Sequence, residues 1–353
     1  ALFMRDKPLT ELGSLSSYGK LTAAAAAGFM ALSAMGVAPV FAATDTANVT
    51  VTVTKTENVK DPVGTISFNA DPRTPGASET PLYGADTIAA GPRGGLSVAD
   101  VTFTPADTDT QTTTKTAAIT INKSLFENLP VGQYCYTISQ KSSDIDGLPK
   151  VDTSYNAHVF KTNDGLYLTV DNGNGTKLSD ENISFAQTYT TKTLTVKKVI
   201  TGNQANKNDT FPFTVTVTPS TAGEKYVVSE GATAAYADNG TATVTATLGD
   251  NQTMTISGLS AADAAAIQET FASTKGYNVT STGGDVTKTE ANGTTTATIA
   301  SAAMGNDNKT VTVTNDKTGE IPTGILMTAA PYAGLVALGG IFAGLFFRHK
   351  RED

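Results

Sequence analysis

The stretch KTLTVKKV (192–199) places Leu, Val and Lys at every second position, separated by Thr and a second Lys. A period of two is typical of a β-strand, because successive side chains of a strand point to opposite faces of the sheet. Thr and Val also favour strands. The same alternation occurs in NVTVTVTKT (48–56), FPFTVTVTP (211–219), GTATVTATL (240–248) and KTVTVTND (309–316). The sequence therefore predicts an all-β protein.

Turn-forming residues separate these strands at short intervals, as in GNGT (173–176) and ADNGT (237–241). Short connections of this kind favour antiparallel β-sandwiches over a parallel sheet. One segment differs: SAADAAAIQETFAS (260–273) combines a possible Ser cap with an Ala-rich interior. This composition predicts a short helix within an otherwise all-β chain.

A loose internal repeat divides the body of the chain into two domains. TVTVTKT (50–56) opens the first half and TLTVKKV (193–199) opens the second, while ISFAQTY (183–189) and VTVTND (311–316) close them. We therefore predict one β-sandwich domain over 43–190 and a second over 191–319. Each domain begins and ends with a strand, so each can close its own sandwich.

Both ends of the chain carry export signals. Arg5, Lys7 and Lys20 precede an Ala-rich apolar segment (21–37), and the small-residue pattern VFA (40–42) follows. Residues 1–42 are therefore predicted to be a signal peptide that is removed after Ala42. Near the other end, residues 325–347 contain no charged side chain and are followed by the basic run RHKR (348–351). This pattern predicts a membrane segment with a cytoplasmic tail, so that the body lies outside the cell.

Composition excludes several classes of function. The 353-residue chain has a net charge of −8, one Cys and two His, of which only His158 lies within 43–323. No basic cluster is present to neutralise phosphates, so nucleic acid is not expected as a partner. A cluster of histidines around a metal is excluded, and no cofactor is predicted. Cys135 is expected to be a small buried residue, and no intramolecular disulfide is possible.

Strand alternation places a lysine and an asparagine on apolar faces. Lys198 shares a face with Leu194 and Val196, and Asn315 shares a face with Val311 and Val313. A buried lysine that loses its proton is a nucleophile, and a carboxamide polarised by a protonated carboxyl group is an electrophile. These positions are compatible with a Lys198–Asn315 isopeptide bond. The alternative is that both residues are exposed at strand ends.

The motifs LTVKKVITGN (194–203), FPFTVTV (211–217), TVTND (312–316) and EIPTG (320–324), with VGQYCYTIS (131–139) and VDTSYNAHVF (151–160), resemble a known family. They are similar to the major pilins of Gram-positive bacteria with FctA-type isopeptide domains. The resemblance implies two tandem Ig-like (CnaB/FctA-type) sandwiches. It also implies a Lys198–Asn315 bond assisted by an acid, for which Glu269 is the candidate.

The resemblance also assigns a sorting signal to residues 320–353. Ile321, Pro322, Thr323 and Gly324 match the sortase motif of these pilins, which implies cleavage after Thr323 and transfer of its carbonyl to a lysine of the next subunit. Lys177 is the expected lysine, and Lys161 is the alternative.

The first domain departs from the family pattern. Lys55 occupies the lysine position, but Gln140 stands at the acid position and Gln187 at the asparagine position. Glutamine cannot donate a carboxyl proton, and its extra methylene displaces the carbonyl. No crosslink is expected in this domain, and Lys55 is expected to be solvated or hydrogen-bonded to glutamine oxygens.

The resulting hypothesis is a cell-surface pilus shaft subunit that is not an enzyme on any external substrate. Its expected partners are a pilin-class sortase, identical subunits, minor pilins and host surface ligands. Two alternatives remain at this point. A monomeric wall-anchored adhesin would carry the same signals, and a secreted hydrolase would need His158 or a pair of carboxylates.

Overall fold

The computed structural model describes residues 47–107, 109–178 and 182–320. Their regular secondary structure is almost entirely β-strand, which confirms the all-β prediction. They form two compact units, and the division falls between Thr190 and Thr191. Within these residues, no helix is long and apolar enough to cross a membrane. The predicted signal peptide, the sortase motif at 321–324 and the predicted membrane segment at 325–347 lie outside the described residues.

In the described residues of the first unit there are eleven strands and a 3-10 helix, Lys123–Phe126. The strands are β1 Ala47–Lys55, β2 Gly64–Ile66, β3 Phe68–Pro72, β4 Ile88–Ala90, β5 Leu96–Val98, β6 Val101–Phe103, β7 Thr112–Ile121, β8 Gly132–Gln140, β9 Ser154–Lys161, β10 Leu166–Asp171 and β11 Asn182–Tyr189. One sheet has the order β11-β1-β7-β5, and the second has the order β10-β9-β8-β3 with β4 beside β8. Strands β2 and β6 form a separate pair.

Between residues 191 and 320, the described part of the second unit has eleven strands and a 3-10 helix, Ser273–Lys275. The strands are β12 Lys192–Thr201, β13 Phe211–Thr218, β14 Val227–Val228, β15 Thr233–Tyr236, β16 Ala242–Leu248, β17 Thr253–Leu259, β18 Ala264–Ala272, β19 Asn278–Ser281, β20 Val286–Ala291, β21 Thr294–Ala303 and β22 Lys309–Asp316. One sheet has the order β14-β17-β12-β22-β19, and the other has the order β15-β16-β13-β18-β21-β20.

The alternation in the sequence becomes the division between core and surface. In β1, the buried positions are every second residue from Ala47 to Lys55. In β12, Leu194, Val196, Lys198 and Ile200 are buried while the residues between them are only partly covered. Each unit has its own apolar core between its sheets.

The first and last strands of each unit are parallel neighbours. Strand β1 pairs with β11, and strand β12 pairs with β22. Residues near the beginning of a unit therefore lie on the strand next to residues near its end. This arrangement positions the candidate site.

The helix predicted over 260–273 is wrong, because most of this segment is strand β18. Its buried residues are Ala265, Ile267, Glu269 and Phe271, which follow the strand period of two. Strand β18 lies between β13 and β21, where both of its edges are hydrogen-bonded. Burial of one apolar face against the core thus outweighs the helix preference of alanine.

Candidate functional site

The candidate site begins with Lys198 in the middle of strand β12. Its side chain shares the inward face with Leu194 and Val196, and no part of the residue is exposed. Directly opposite on the parallel strand β22 is Val313, and Asn315 lies two residues further along and is also fully buried. The predicted inward orientation of Lys198 and Asn315 is therefore confirmed.

Glu269 reaches the same point from the other sheet. It lies on β18 opposite Phe213 of β13 and is 1% exposed. Its Oε1 atom lies 2.9 Å from Lys198 Nζ and accepts a 3.2 Å hydrogen bond from Asn315 Nδ2. The amine, the carboxamide and the carboxyl group are thus in contact inside the sandwich.

Aromatic rings separate this cluster from water. Lys198 Nζ lies 4.4 Å from the centre of the Phe211 ring and 6.0 Å from the centre of the Phe213 ring. Phe211 packs in turn against Phe271 and Tyr277 with its ring edge-on. The polar atoms therefore have an apolar surrounding, in which charged forms are costly.

Burial shifts the pKa values of Lys198 and Glu269 in the directions that favour their neutral forms. Burial lowers the pKa of Lys198, and the neighbouring Glu269 only partly offsets this effect. Burial likewise raises the pKa of Glu269, and Lys198 only partly opposes it. Both shifts are in the direction that makes proton transfer from the Lys198 ammonium to the Glu269 carboxylate easier.

Two buried oxygens of the site, Glu269 Oε2 and Asn315 Oδ1, have no hydrogen-bond partner among the residues that the structure describes. Buried polar atoms without a partner are uncommon and are often found where chemistry takes place. A half-turn of the Asn315 amide would exchange Nδ2 for Oδ1 beside Glu269. The carbonyl would then accept the carboxyl proton, which is the polarisation that nucleophilic attack requires.

The corresponding lysine of the first unit has a different partner. Lys55 is 2% exposed, and its Nζ lies 2.8 Å from Asp61 Oδ1. Thr113 Oγ1 donates a 2.7 Å hydrogen bond to the same oxygen. The expectation that Lys55 is solvated or bonded to glutamine is wrong, because a buried ammonium is stabilised more by a carboxylate than by neutral amides.

The two glutamines bind a loop of the first unit. Gln187 Nε2 donates to the Pro149 carbonyl at 2.9 Å, and the Val151 amide donates to Gln140 Oε1 at 3.3 Å. The strand register also differs from that of the second unit. Gln187 lies two residues before Tyr189, the partner of Lys55, whereas Asn315 lies two residues after the partner of Lys198.

The two lysines considered for the intermolecular link lie in different surroundings. Lys161 Nζ donates to the carbonyls of Phe126, Glu127 and Leu129 at 2.5, 2.6 and 2.7 Å. Lys177 lies in the hairpin after β10, where its backbone bridges to Asp171. The ammonium of Lys161 thus uses all three of its protons on backbone oxygens.

Sequence reasoning missed two polar groups. The first is Asp61, which follows Lys55 by six residues in the segment KDP (60–62). The position of Lys55 on an apolar strand face was the one sequence signal that could have indicated a nearby acid. The second is His158, whose Nε2 lies 2.7 Å from Asp171 Oδ2. Cys135 is buried, as predicted, but it lies beside His158, with Sγ 3.6 Å from Nδ1.

Comparison with known proteins finds one family model and several pilins that are similar to this chain. Residues 192–317 match a family described as a domain of unknown function, DUF7601. A curated relative named Pilin, from Streptococcus pyogenes serotype M1, is 28% identical over 274 residues, which cover 71% of this chain and 76% of the relative.

Solved structures share the fold. The major pilin from Streptococcus pyogenes aligns with a TM-score of 0.58 at 19% identity, covering 78% of this chain and 99% of the other. The major pilin protein T-13 from the same species aligns with a TM-score of 0.54 at 21% identity, covering 78% and 98%. The resemblance to major pilins inferred from the sequence motifs is confirmed by the curated relative and by the shared fold.

Proposed function

We propose that this chain is the shaft subunit of a covalently assembled surface pilus, stabilised by an isopeptide bond between Lys198 and Asn315. The observation that carries the proposal is the contact of both side chains with one oxygen of the buried Glu269. The similarity to a streptococcal pilin over most of both chains supports the same role.

The reaction needs only the three side chains. Lys198 gives a proton to Glu269, and the neutral amine attacks the Cγ atom of Asn315. Protonated Glu269 gives its proton to the Asn315 carbonyl oxygen as Cγ is attacked, and it then takes the second amine proton. When the tetrahedral intermediate collapses, Nδ2 takes this proton from Glu269 and the proton of the oxygen, and it leaves as ammonium. One C–N bond forms and one breaks, and Glu269 returns to its starting state.

Assembly uses residues outside the described part of the chain. A pilin-class sortase cleaves after Thr323 in the IPTG motif (321–324), holds the Thr323 carbonyl as an acyl-enzyme and releases the segment from Gly324 onward. A lysine of an identical subunit then attacks this carbonyl. The apolar segment at 325–347 would hold the precursor at the cell surface until cleavage.

Lys177 is the acceptor in this proposal. The alternative, Lys161, has its ammonium bound to three carbonyls, and releasing it would cost those charge-assisted hydrogen bonds. Lys177 lies in a short hairpin that is only partly buried. An acceptor must approach a sortase active site, and a hairpin lysine meets this requirement better.

The test is to boil the native surface material in detergent and separate it by size, and then to digest it with trypsin and analyse the peptides by mass spectrometry. A shaft subunit gives a ladder of high-mass species and a peptide in which Thr323 is joined to Lys177. A wall-anchored adhesin gives a single species joined to cell-wall peptide. Recovery of the second result alone would reject the shaft proposal.

A further inference from the structure

A chain of hydrogen bonds connects the hairpin of Lys177 to the interior of the first unit. The Leu82 amide donates to Gln133 Oε1 at 2.6 Å, and Gln133 Nε2 lies 2.9 Å from His158 Nδ1. His158 Nε2 lies 2.7 Å from Asp171 Oδ2, and the Gly173 amide donates to Asp171 Oδ1 at 2.7 Å.

The partners fix the direction of each hydrogen bond. Gln133 Oε1 accepts from Leu82, so its amide nitrogen must donate to His158 Nδ1. A neutral His158 then carries its proton on Nε2 and donates to Asp171. Gln133 and His158 are each 1% exposed, and Asp171 is 4% exposed, so water competes little for these bonds.

Asp171 stays ionised in this setting. Burial alone would raise its pKa, but the hydrogen bonds from His158 and from the Gly173 amide together hold the pKa below its usual range. A carboxylate that accepts from a backbone amide two residues later fixes a turn. Here the turn opens the segment 172–178.

The rest of the hairpin follows from this anchor. The Asn172 amide donates to the Thr176 carbonyl at 3.1 Å, and the Leu178 amide donates to the Val170 carbonyl at 3.0 Å. Asp171 forms an antiparallel bridge with Lys177 itself. Gly173 and Gly175 have φ values of 85° and 81°, which favour glycine and close the hairpin tightly.

We infer that Asp171, oriented by His158, is a positioning residue for the acceptor lysine, because its buried carboxylate fixes the hairpin that presents Lys177 to the sortase acyl-enzyme. This inference rests on the proposed function, in which Lys177 is the acceptor. A lysine on a fixed hairpin reaches the Thr323 carbonyl with less loss of conformational freedom than one on a mobile loop.

The test separates the acceptor role from the donor role in full-length chains. A Thr323→Ala chain can act only as acceptor, and a Lys177→Ala chain can act only as donor. Mixed with a pilin-class sortase, the two yield one covalent dimer. Asp171→Ala in the acceptor chain should slow dimer formation at least about tenfold, whereas the same substitution in the donor chain should leave the rate unchanged.

Two controls and one substitute variant make the result specific. Asp171→Asn retains an oxygen for the Gly173 amide and should recover most of the rate. Asp164→Ala, in the neighbouring exposed turn between β9 and β10, should have no effect. If the Asp171→Ala chain does not fold, Asn172→Ala takes its place in the dimer assay. This substitution removes the exposed Oδ1 atom that accepts from the Asn174 and Thr176 amides of the same hairpin.

Two outcomes overturn different claims. Unchanged dimer formation with Asp171→Ala in a folded acceptor, or with Asn172→Ala where that variant decides, would reject the positioning role. A ladder formed by the Lys177→Ala chain alone would instead reject Lys177 as the acceptor, and the proposed assembly reaction would then require another lysine.

Discussion

Lys198 Nζ lies 2.9 Å from Glu269 Oε1 although the two residues belong to opposite sheets of the second unit. The contact is buried against Phe211, and burial disfavours the charged form of both groups. The two groups are therefore close enough to exchange a proton, as the proposed bond between Lys198 and Asn315 requires.

One internal bond is expected per chain. A recombinant body spanning residues 43–323 should weigh about 17 Da less than its sequence mass, because each isopeptide bond expels one ammonia. Intact-mass spectrometry measures this difference, and Lys198→Ala should restore the full mass. A deficit of about 34 Da would show that the first unit also reacts.

Glu269 should be required for the bond. Glu269→Gln keeps the size and the hydrogen-bonding capacity of the side chain but cannot donate a carboxyl proton, so the ammonia loss should be absent or strongly slowed. Glu290→Gln, at an exposed position of β20, is the matched control and should retain the full mass loss. Normal bond formation in Glu269→Gln would move the acid role to another residue.

The second unit should lose stability when the bond is missing. The bond closes a loop of more than one hundred residues, and by analogy with disulfides its constraint on the unfolded chain is worth several kcal/mol, on the order of 4. Thermal unfolding of Asn315→Ala against wild type measures this loss. An unchanged melting temperature would show that the bond adds no stability.

The first unit should depend on its buried ion pair. Asp61→Ala leaves the Lys55 ammonium buried without its carboxylate and should cost about 3–5 kcal/mol in unfolding free energy. Asp109→Ala breaks the exposed pair with Lys60, which should cost at most about 1 kcal/mol. Equal effects in urea unfolding would contradict the role given to Asp61.

The stability of the second unit should fall as pH rises toward and above neutrality. Burial raises the pKa of Glu224 to about 7, and the nearby Asp263 carboxylate adds to the effect. Because the folded pKa lies above the unfolded value, the folded state binds the proton more tightly, and its stabilisation is lost as pH rises through about 7. Glu224→Gln should flatten unfolding curves measured between pH 5 and 8, whereas a slope unchanged by this substitution would assign the pH effect to another group.

Much of the site could be predicted because strand alternation is local. The faces of Lys198 and Asn315 follow from a period of two, and the structure agrees. The helix prediction for residues 260–273 is wrong because alanine favours helices in isolation, whereas pairing with the neighbouring strands β13 and β21 makes this segment extended. Its strand form then places Glu269 inward.

Other features depend on contacts that sequence spacing does not reveal. Whether Asp61 turns back to Lys55 depends on the path of the loop after β1 and on Thr113, which is far away in the chain. The offset of Gln187 relative to Lys55 depends on the register between β1 and β11. Alternation fixes faces, but it does not fix how two distant strands are aligned.

The parallel pairing of first and last strands also determines how each unit would carry mechanical load. Tension applied at the two chain ends of the second unit would act on β12 and β22. A Lys198–Asn315 bond would transmit this tension directly from one strand to the other. The chain between these residues would then be shielded from stretching. In the first unit, the same pull would act in shear on the hydrogen bonds between β1 and β11, so this unit would be the part that extends and absorbs energy under force.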